Sequence, residues 1–465
     1  MKLAYGVKDR PKSGQLIMFA LQQLLAIMAA TIAVPAIVGN GMSASAALFG
    51  AGVGTIVYLL FTKFKSPVFL GSSFAFISPM IAAFAGGISM SLGYLGLIIG
   101  AVFAGLVYVI ISIIVKFAGV KWIAKLMPAA VIGPTVAIIG LSLASAAVND
   151  VFSYGPKDAD GYFVMDGHMG ISAICALVTL FVVILSSTYG KKIGKLFPFI
   201  IGIAAGYVVA LAFTFIGKAT GNDALIMIDL GKFTALTADG VNLNTFLQLP
   251  EFTFAKAFDA LKGFDNWTYI ATIAVAYVPV AFVVFAEHIA DHKNLSTIIG
   301  QELLEEPGLH RTLLGDGVGS IAGAFFGGCP NTTYGESVGC VAITRNASIV
   351  TILVTAIMAI LVSFFSPFVA LLSSIPGCVM GGVCITLYGF IAVSGLKMIQ
   401  KVDLESNANL FTVSVILIAG IGGFAMSFAI GEGSAIRISS IACALILGII
   451  VNLALGCKKA NKTEE

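Results

Sequence analysis

The stretch Cys329-Pro-Asn-Thr-Thr-Tyr-Gly-Glu-Ser-Val-Gly-Cys-Val-Ala-Ile-Thr-Arg345 lies between strongly apolar segments, yet it is polar, with a proline, two glycines and a carboxylate, Glu336, near its middle. At membrane depth such a segment cannot cross lipid as a plain apolar helix, because backbone N–H and C=O groups find no water there. Irregular backbone at that depth is tolerated where it is buried in protein or lines a cavity, and an ionisable group there marks a candidate functional site.

The flanking chain supplies the membrane reading. It has 465 residues, is 58% hydrophobic and 11% charged, and has a mean hydropathy of +1.02. Apolar runs of about 20 residues recur from end to end, each long enough to span a bilayer core. A transmembrane β-barrel would instead show alternating segments of about ten residues. The expectation is an all-α polytopic membrane protein with about fourteen segments, at roughly 15–38, 44–62, 67–86, 92–116, 123–148, 169–187, 196–216, 269–298, 312–327, 329–345, 348–368, 371–395, 410–429 and 435–455. The seven cysteines show no metal-ligand spacing and read as free thiols acting as small apolar residues. The polar, basic stretch Met1 to Ser13 runs into a full-length span, so no cleavable signal peptide is expected.

Two halves echo each other. The third segment of the first half, Gly71-Ser-Ser-Phe-Ala-Phe-Ile-Ser-Pro79, is short, hydroxyl-rich and interrupted, as is the third of the second, Pro330-Asn-Thr-Thr-Tyr-Gly-Glu336. Seven is odd, so the repeats sit inverted, and matched broken segments in inverted halves point to a transporter's midplane binding site. Either segment alone could be a glycine/proline kink. The expected divisions are 1–217 and 266–457 as the two repeats, 218–265 as the loop between them, and 458–465 as a cytoplasmic tail. Loops 149–167 and 217–265 read as connections. Lysine and arginine cluster in alternate loops, for example Lys63 and Lys65, Lys121 and Lys125, Lys191, Lys192 and Lys195, and Lys397 and Lys401. The positive-inside rule then places both termini in the cytoplasm.

Carboxylates and histidines supply the chemistry. Glu287 ends a long apolar run, and a carboxylate removed from water can bind and release a proton near neutral pH. Asp291 follows four residues on, on the same helix face. His288 and His292 form a second such pair, rotated by about 100°. A wet helix end is the alternative for this run, and it suits His292 and Lys293 best. A metal reading of Glu-His-x-x-Asp-His lacks a third ligand. In the second broken segment, Thr332 or Thr333 is placed to cap the helix that follows. Glu336 would then lie near a half-helix N-terminus. Two carboxylates and exposed backbone, with no evident buried Arg or Lys, suit a flat neutral heterocycle better than an anion. These features describe a proton-coupled secondary transporter for a small neutral polar solute.

The run Glu336-Ser-Val-Gly-x-x-x-x-Thr-Arg345 resembles the signature of the nucleobase–ascorbate transporter (nucleobase:cation symporter) family. The segments Gly71 to Pro79, Ala286-Glu-His288 and Glu306-Pro-Gly-Leu-His-Arg311 are similar to those of the family's uracil branch, and the likeness covers essentially the whole chain. The resemblance implies two inverted seven-segment repeats, with short strands in segments 3 and 10. A core domain (segments 1–4 and 8–11) would move against a gate domain (5–7 and 12–14). It implies a uracil–proton symporter of the cell membrane, with the same machine for a purine such as xanthine or urate as the alternative. Glu287 and Glu336 would hydrogen-bond the base, Phe74 and Gly335 would offer backbone groups, and Ala30 and Tyr334 would shape the pocket. Glu287, Asp291 and His288 would serve proton coupling. No cofactor other than the coupling ion H+, no metal, no nucleic acid and no enzymatic activity is expected. The lipid bilayer is the surroundings, and a homodimer through the gate spans is implied. Two positions depart from the family pattern. Ser337 stands where Asn is usual, which should weaken the network an Asn would anchor, and Asp291 stands where the uracil branch carries His.

Overall fold

A computed structural model describes residues 3–461, apart from 86, 192, 193, 195, 196, 239, 263–266 and 430–434. Lys192 and Lys195, assigned above to the basic loops, and residues 462–465 of the expected tail lie outside the described residues.

The first half comprises α1 (Ser13–Val38), α2 (Ala44–Phe61), strand β1 (Leu70–Ser72), the short α3 (Ile77–Ala82), α4 (Met90–Ala118), α5 (Ala129–Ser142), α6 (Gly167–Tyr189) and α7 (Pro198–Thr220). The second comprises α8 (Trp267–Ile299), α9 (Leu309–Gly327), β2 (Asn331–Thr333), α10 (Gly335–Thr344), α11 (Ile349–Ser363), α12 (Gly377–Ile399), α13 (Asn407–Ile421) and α14 (Ser440–Asn461). Local sequence sets many of the ends. Ser43, Ser89 and Asp166 accept hydrogen bonds from the first-turn amides of α2, α4 and α6. Gly39, Gly119 and Gly328, all at positive φ, follow α1, α4 and α9.

The packing repeats under a shift of seven segments. α2 packs on α9 and α5 on α12, each helix meeting its own counterpart. α4 packs on α8 and α9, as α11 does on α1 and α2. α6 packs on α7 and α12, as α13 does on α14 and α5. Such matched pairs are the packing of two repeats around a pseudo-two-fold axis, and they sort into the expected core and gate bodies. The α2–α9 interface is backbone on backbone. A Cβ on Gly50 would lie 2.3 Å from the carbonyl oxygen of Gly323, so only glycine permits it.

The two broken segments complete each other. β1 and β2 pair antiparallel, Leu70 opposite Thr333, Gly71 opposite Thr332 and Ser72 opposite Asn331. Ser73 N–H donates to Pro330 O at 2.9 Å and Tyr334 N–H to Phe69 O at 3.2 Å, extending the ladder at both ends. Backbone groups that lipid could not satisfy are thereby satisfied internally.

Direct bonds separate the two faces of the molecule. On one, Ala4 pairs with Arg345, Lys65 with Glu306 at 2.5 Å, and Asn452 with Lys125 O at 3.1 Å. On the other, Lys256 Nζ donates to Gly41 O at 2.7 Å, Gln248 N–H to Phe364 O at 2.9 Å and Ser366 Oγ to Asn244 O at 3.0 Å. Segment 217–265 is therefore more than a connection, because it is bonded to both α1–α2 and α11–α12 links.

The late spans differ from expectation. α11 stops at Ser363, and Ser366–Ser374 forms a separate short helix before α12. The thirteenth span, expected to reach Ala429, ends at Ile421. Gly422 and Gly423, the latter at φ +71°, break it, and Met426–Ala429 pairs as a strand (β3) with Ala435–Ile438 (β4). An apolar run could not reveal this, because it is as compatible with a strand as with a helix.

The crossing yields a test. A Cβ on Gly71 would lie 2.3 Å from ring carbons of Tyr334, so Gly71→Ala should cost about 1–3 kcal/mol of stability. Thermal unfolding of the purified protein checks it, and an unchanged midpoint would mean that the ring moves aside freely.

Candidate functional site

A cavity of about 420 Å³ lies between the core and gate bodies, beside the strand crossing. Its inner end is formed by Ser73, Phe74, Thr332, Tyr334, Gly335 and Glu336, and Glu287 and Asp291 reach it from α8. Its outer rim is Ser187, Pro198, Asn294, Ile343 and Met398. These stand at the ends of α6, α7, α8, α10 and α12 that share the face of residues 3–12. The cavity therefore opens to that face.

Each candidate residue owes its place to a local feature. Glu336 occupies the first turn of α10. The leading amides of a helix have no intrahelical acceptor, and Gly335 and Glu336 put that end of α10 on the cavity wall. Tyr334, buried, is the residue before α10, and its hydroxyl donates to Ser72 O at 2.9 Å, tying the second crossing strand to the first. Neither Thr332 nor Thr333 caps α10: Thr333 Oγ1 donates to Asp291 Oδ2 at 2.8 Å, and the Thr332 hydroxyl has no partner. Phe74 starts a one-turn helix after β1, and its ring meets Tyr388 of α12 edge to face at 5.6 Å. Core and gate touch there. Tyr388 carries no motif in the sequence; only the fold brings it to Phe74.

Among the described residues, three carboxylates and no Lys, Arg or His line the cavity, and no ion pair reaches Glu287, Asp291 or Glu336. Grouping carboxylates away from water is costly unless a proton or a hydrogen-bond donor is shared among them. The wall around them is apolar and aromatic, with Phe74, Phe199 and Phe390 among its residues. Flat apolar faces with a few convergent acceptors suit a planar ligand bearing N–H groups.

Other expected residues lie elsewhere. Ala30 is fully buried inside the core body; Ala26, one turn earlier, reaches the cavity wall. His288 faces away from the cavity. Its Nδ1 lies 2.6 Å from Asp316 Oδ2 and its Nε2 3.0 Å from Thr312 Oγ1, all buried. His292 is not at a wet helix end. It is fully buried, with Nε2 2.7 Å from Tyr58 Oη, and it stacks on His288 with ring centroids 4.0 Å apart. Asp316 escapes the sequence reading. It sits in the glycine-rich run Leu-Gly-Asp-Gly-Val-Gly of α9, and its second oxygen has no partner. A lone carboxylate inside a span was the available signal.

Ser337 also corrects an expectation. It does not leave a weakened network: its Oγ accepts from Phe69 N–H at 3.0 Å and pairs with the side-chain amide of Gln23. One hydroxyl thus joins α10, α1 and the first broken segment.

The fold and site define an inverted-repeat membrane carrier. A likeness to solved structures agrees with the fold. The transmembrane domain of the cyanobacterial bicarbonate transporter BicA gives a TM-score of 0.60 at 14% identity, over 96% of this chain and 99% of that one. Murine Solute Carrier 26 family member A9, an anion transporter solved in the inward-facing state, gives 0.60 at 12% identity, over 97% and 69%. The model of the Permease family matches residues 14–428, and the chain belongs to that family, the nucleobase–ascorbate transporters. It is 37% identical to the uracil permease of Bacillus subtilis over 100% of this chain and 98% of that protein. Identity to the uracil permease of Bacillus caldolyticus is 39%, over 97% and 94%, and to that of Escherichia coli K12 35%, over 99% and 96%.

Replacing Ser337 by Ala leaves the buried Phe69 N–H without its acceptor, which should cost about 1–3 kcal/mol. Denaturant or thermal titration of the purified variant measures this, and wild-type stability would mean that the hydroxyl is dispensable.

Proposed function

We propose that this chain carries uracil across the cell membrane together with protons. The observation that carries the reading is the placement of Glu336, at the head of α10, and Glu287, on α8, around one cavity at the strand crossing. Uracil has two N–H donors and two carbonyls. The carboxylates accept from the N–H groups. The exposed backbone at Phe74 and Gly335 donates to the carbonyls, and the Phe74 ring covers a face of the base. The full-length uracil permease relatives support the same substrate.

Proton coupling follows from the uncompensated charge of the cavity. Glu287, with Asp291 one turn away, takes up a proton, which neutralises that one carboxylate, and the neutral base and the proton are then carried together. His288 acts from behind the helix through Asp316 rather than on the base. The basic loops support a cytoplasmic position for the face of residues 3–12. The cavity then opens inward, in the state that releases substrate.

Uptake of labelled uracil into proteoliposomes, with and without an inward proton gradient and with unlabelled bases as competitors, tests the whole reading. Gradient-driven uptake blocked by uracil and not by xanthine is expected. Glu336→Ala should abolish uracil binding, measured at equilibrium on the purified protein. Glu287→Gln should end accumulation against a gradient while retaining exchange. Normal accumulation by Glu287→Gln would remove that residue from coupling, and uptake blocked by xanthine would move the substrate to the purines.

A further inference from the structure

Residues 3–9, ahead of α1, run along the link 345–349 that joins α10 to α11. The amides of Ala4 and Tyr5 both donate to Arg345 O, at 2.8 and 3.3 Å. Ala347 N–H donates in turn to Tyr5 O at 2.9 Å, and Ile349 N–H to Val7 O at 3.1 Å. Tyr5 and Asn346 form a parallel bridge. Side chains secure both ends. Ser348 Oγ donates to Asp9 O at 2.6 Å, and Tyr5 Oη to Gln15 Oε1, in the first turn of α1, at 2.7 Å.

The gripped link is unusual. Arg345, the residue that ends α10, sits at φ +56°. A non-glycine residue holds that left-handed conformation where its surroundings impose it. Its carbonyl is the one that receives two bonds from residues 4 and 5. α10 has ten residues, so the strap lies only about 13 Å from Glu336, at 1.5 Å rise per residue. A helix this short moves as a rod, and a shift at one end is delivered to the other. Its inner end is held by the strand crossing and Ser337, and its outer end by residues 3–9.

We infer that residues 3–9 are a positioning strap. They set the tilt and depth of α10, and through it the place of Glu336 opposite α1, the helix they lead into. The strap touches neither cavity nor base. The inference rests on the proposed reading of Glu336 as a ligand for the base.

The test compares the full chain with Ala4→Pro, which removes the shorter of the two bonds to Arg345, with a deletion of residues 2–9, and with Tyr5→Phe, which keeps the backbone pairing. Equilibrium uracil binding is measured on purified protein, and KM and kcat in proteoliposomes. Ala4→Pro and the deletion should raise Kd and KM about tenfold. They should leave kcat within about twofold, since a misplaced ligand weakens binding without blocking movement. Tyr5→Phe, which loses only the bond to Gln15, should shift Kd and KM less than Ala4→Pro does. Wild-type affinity in the deletion overturns the strap. If the parent itself binds no uracil, the substrate reading fails, and the strap is judged by hydrogen exchange without ligand. The α10 amides should exchange several-fold faster in Ala4→Pro, and equal protection overturns it. Should the deletion not fold, exchange in the parent decides. Uracil should slow exchange at Ala4 and Ala347 by reciprocal coupling, and no slowing in a protein that binds uracil overturns the strap.

Discussion

An unpaired backbone N–H or C=O in a membrane interior costs several kcal/mol, and the two broken segments carry many such groups. Neither can satisfy its own. They are satisfied because β1 and β2 meet, with Ser73–Pro330 and Tyr334–Phe69 closing the ladder ends. This pairing forces the two repeats to interpenetrate at the centre. It also fixes the start of α10, and with it Glu336, beside the start of the one-turn helix that bears Phe74. Gly71, Tyr334 and Ser337 all serve this junction: one vacates the space that the Tyr334 ring fills, one ties strand to strand, and one ties the junction to α1.

The long helix α8 divides the polar load by its own periodicity. Residues four apart share a face, and residues one apart are turned by about 100°. Glu287 and Asp291 therefore meet the cavity together, and His288 and His292 meet the core body together. The histidines are held by Asp316, Thr312, Tyr58 and Ser66, from α9, α2 and the link after α2. Of the carboxylates, Asp291 takes a bond from Thr333, and among the described residues no ion pair reaches either. One helix so presents uncompensated acidity to a ligand while its other face is bound into the body that would carry it.

Much of this was legible because it follows from local rules. Apolar length marked the spans. The odd number of segments in each repeat and the matched breaks predicted inversion; an acid in an apolar run singled out Glu287, and the polar broken segment singled out Glu336. What stayed hidden depends on partners far along the chain. His292 reads as a wet end until Tyr58, 234 residues away, closes over it. Ser337 reads as a lost amide until Gln23 and Phe69 supply its bonds. Ala30 reads as a pocket residue by resemblance, but it lies one turn further along the same face of α1, where it is fully buried, and Ala26 is the residue that reaches the wall. The β3–β4 hairpin was invisible because hydrophobicity measures burial in lipid and protein alike and does not distinguish strand from helix over a few residues.

The repeats are matched in packing, and their inversion has a mechanical consequence. If each half can adopt the other's arrangement, exchanging them closes the cavity on one face and opens it on the opposite face at small cost, because each helix pairing in one half has an equivalent in the other. The balance is then set by what the two halves do not share. Segment 217–265 bonds to the link between α11 and α12 through Gln248 and Ser366, on the face where the cavity is closed. Residues 3–9 brace the end of α10 on the face where it is open. In a machine whose two halves are near equivalents, such unmatched straps are where a preference between two otherwise similar states has to reside.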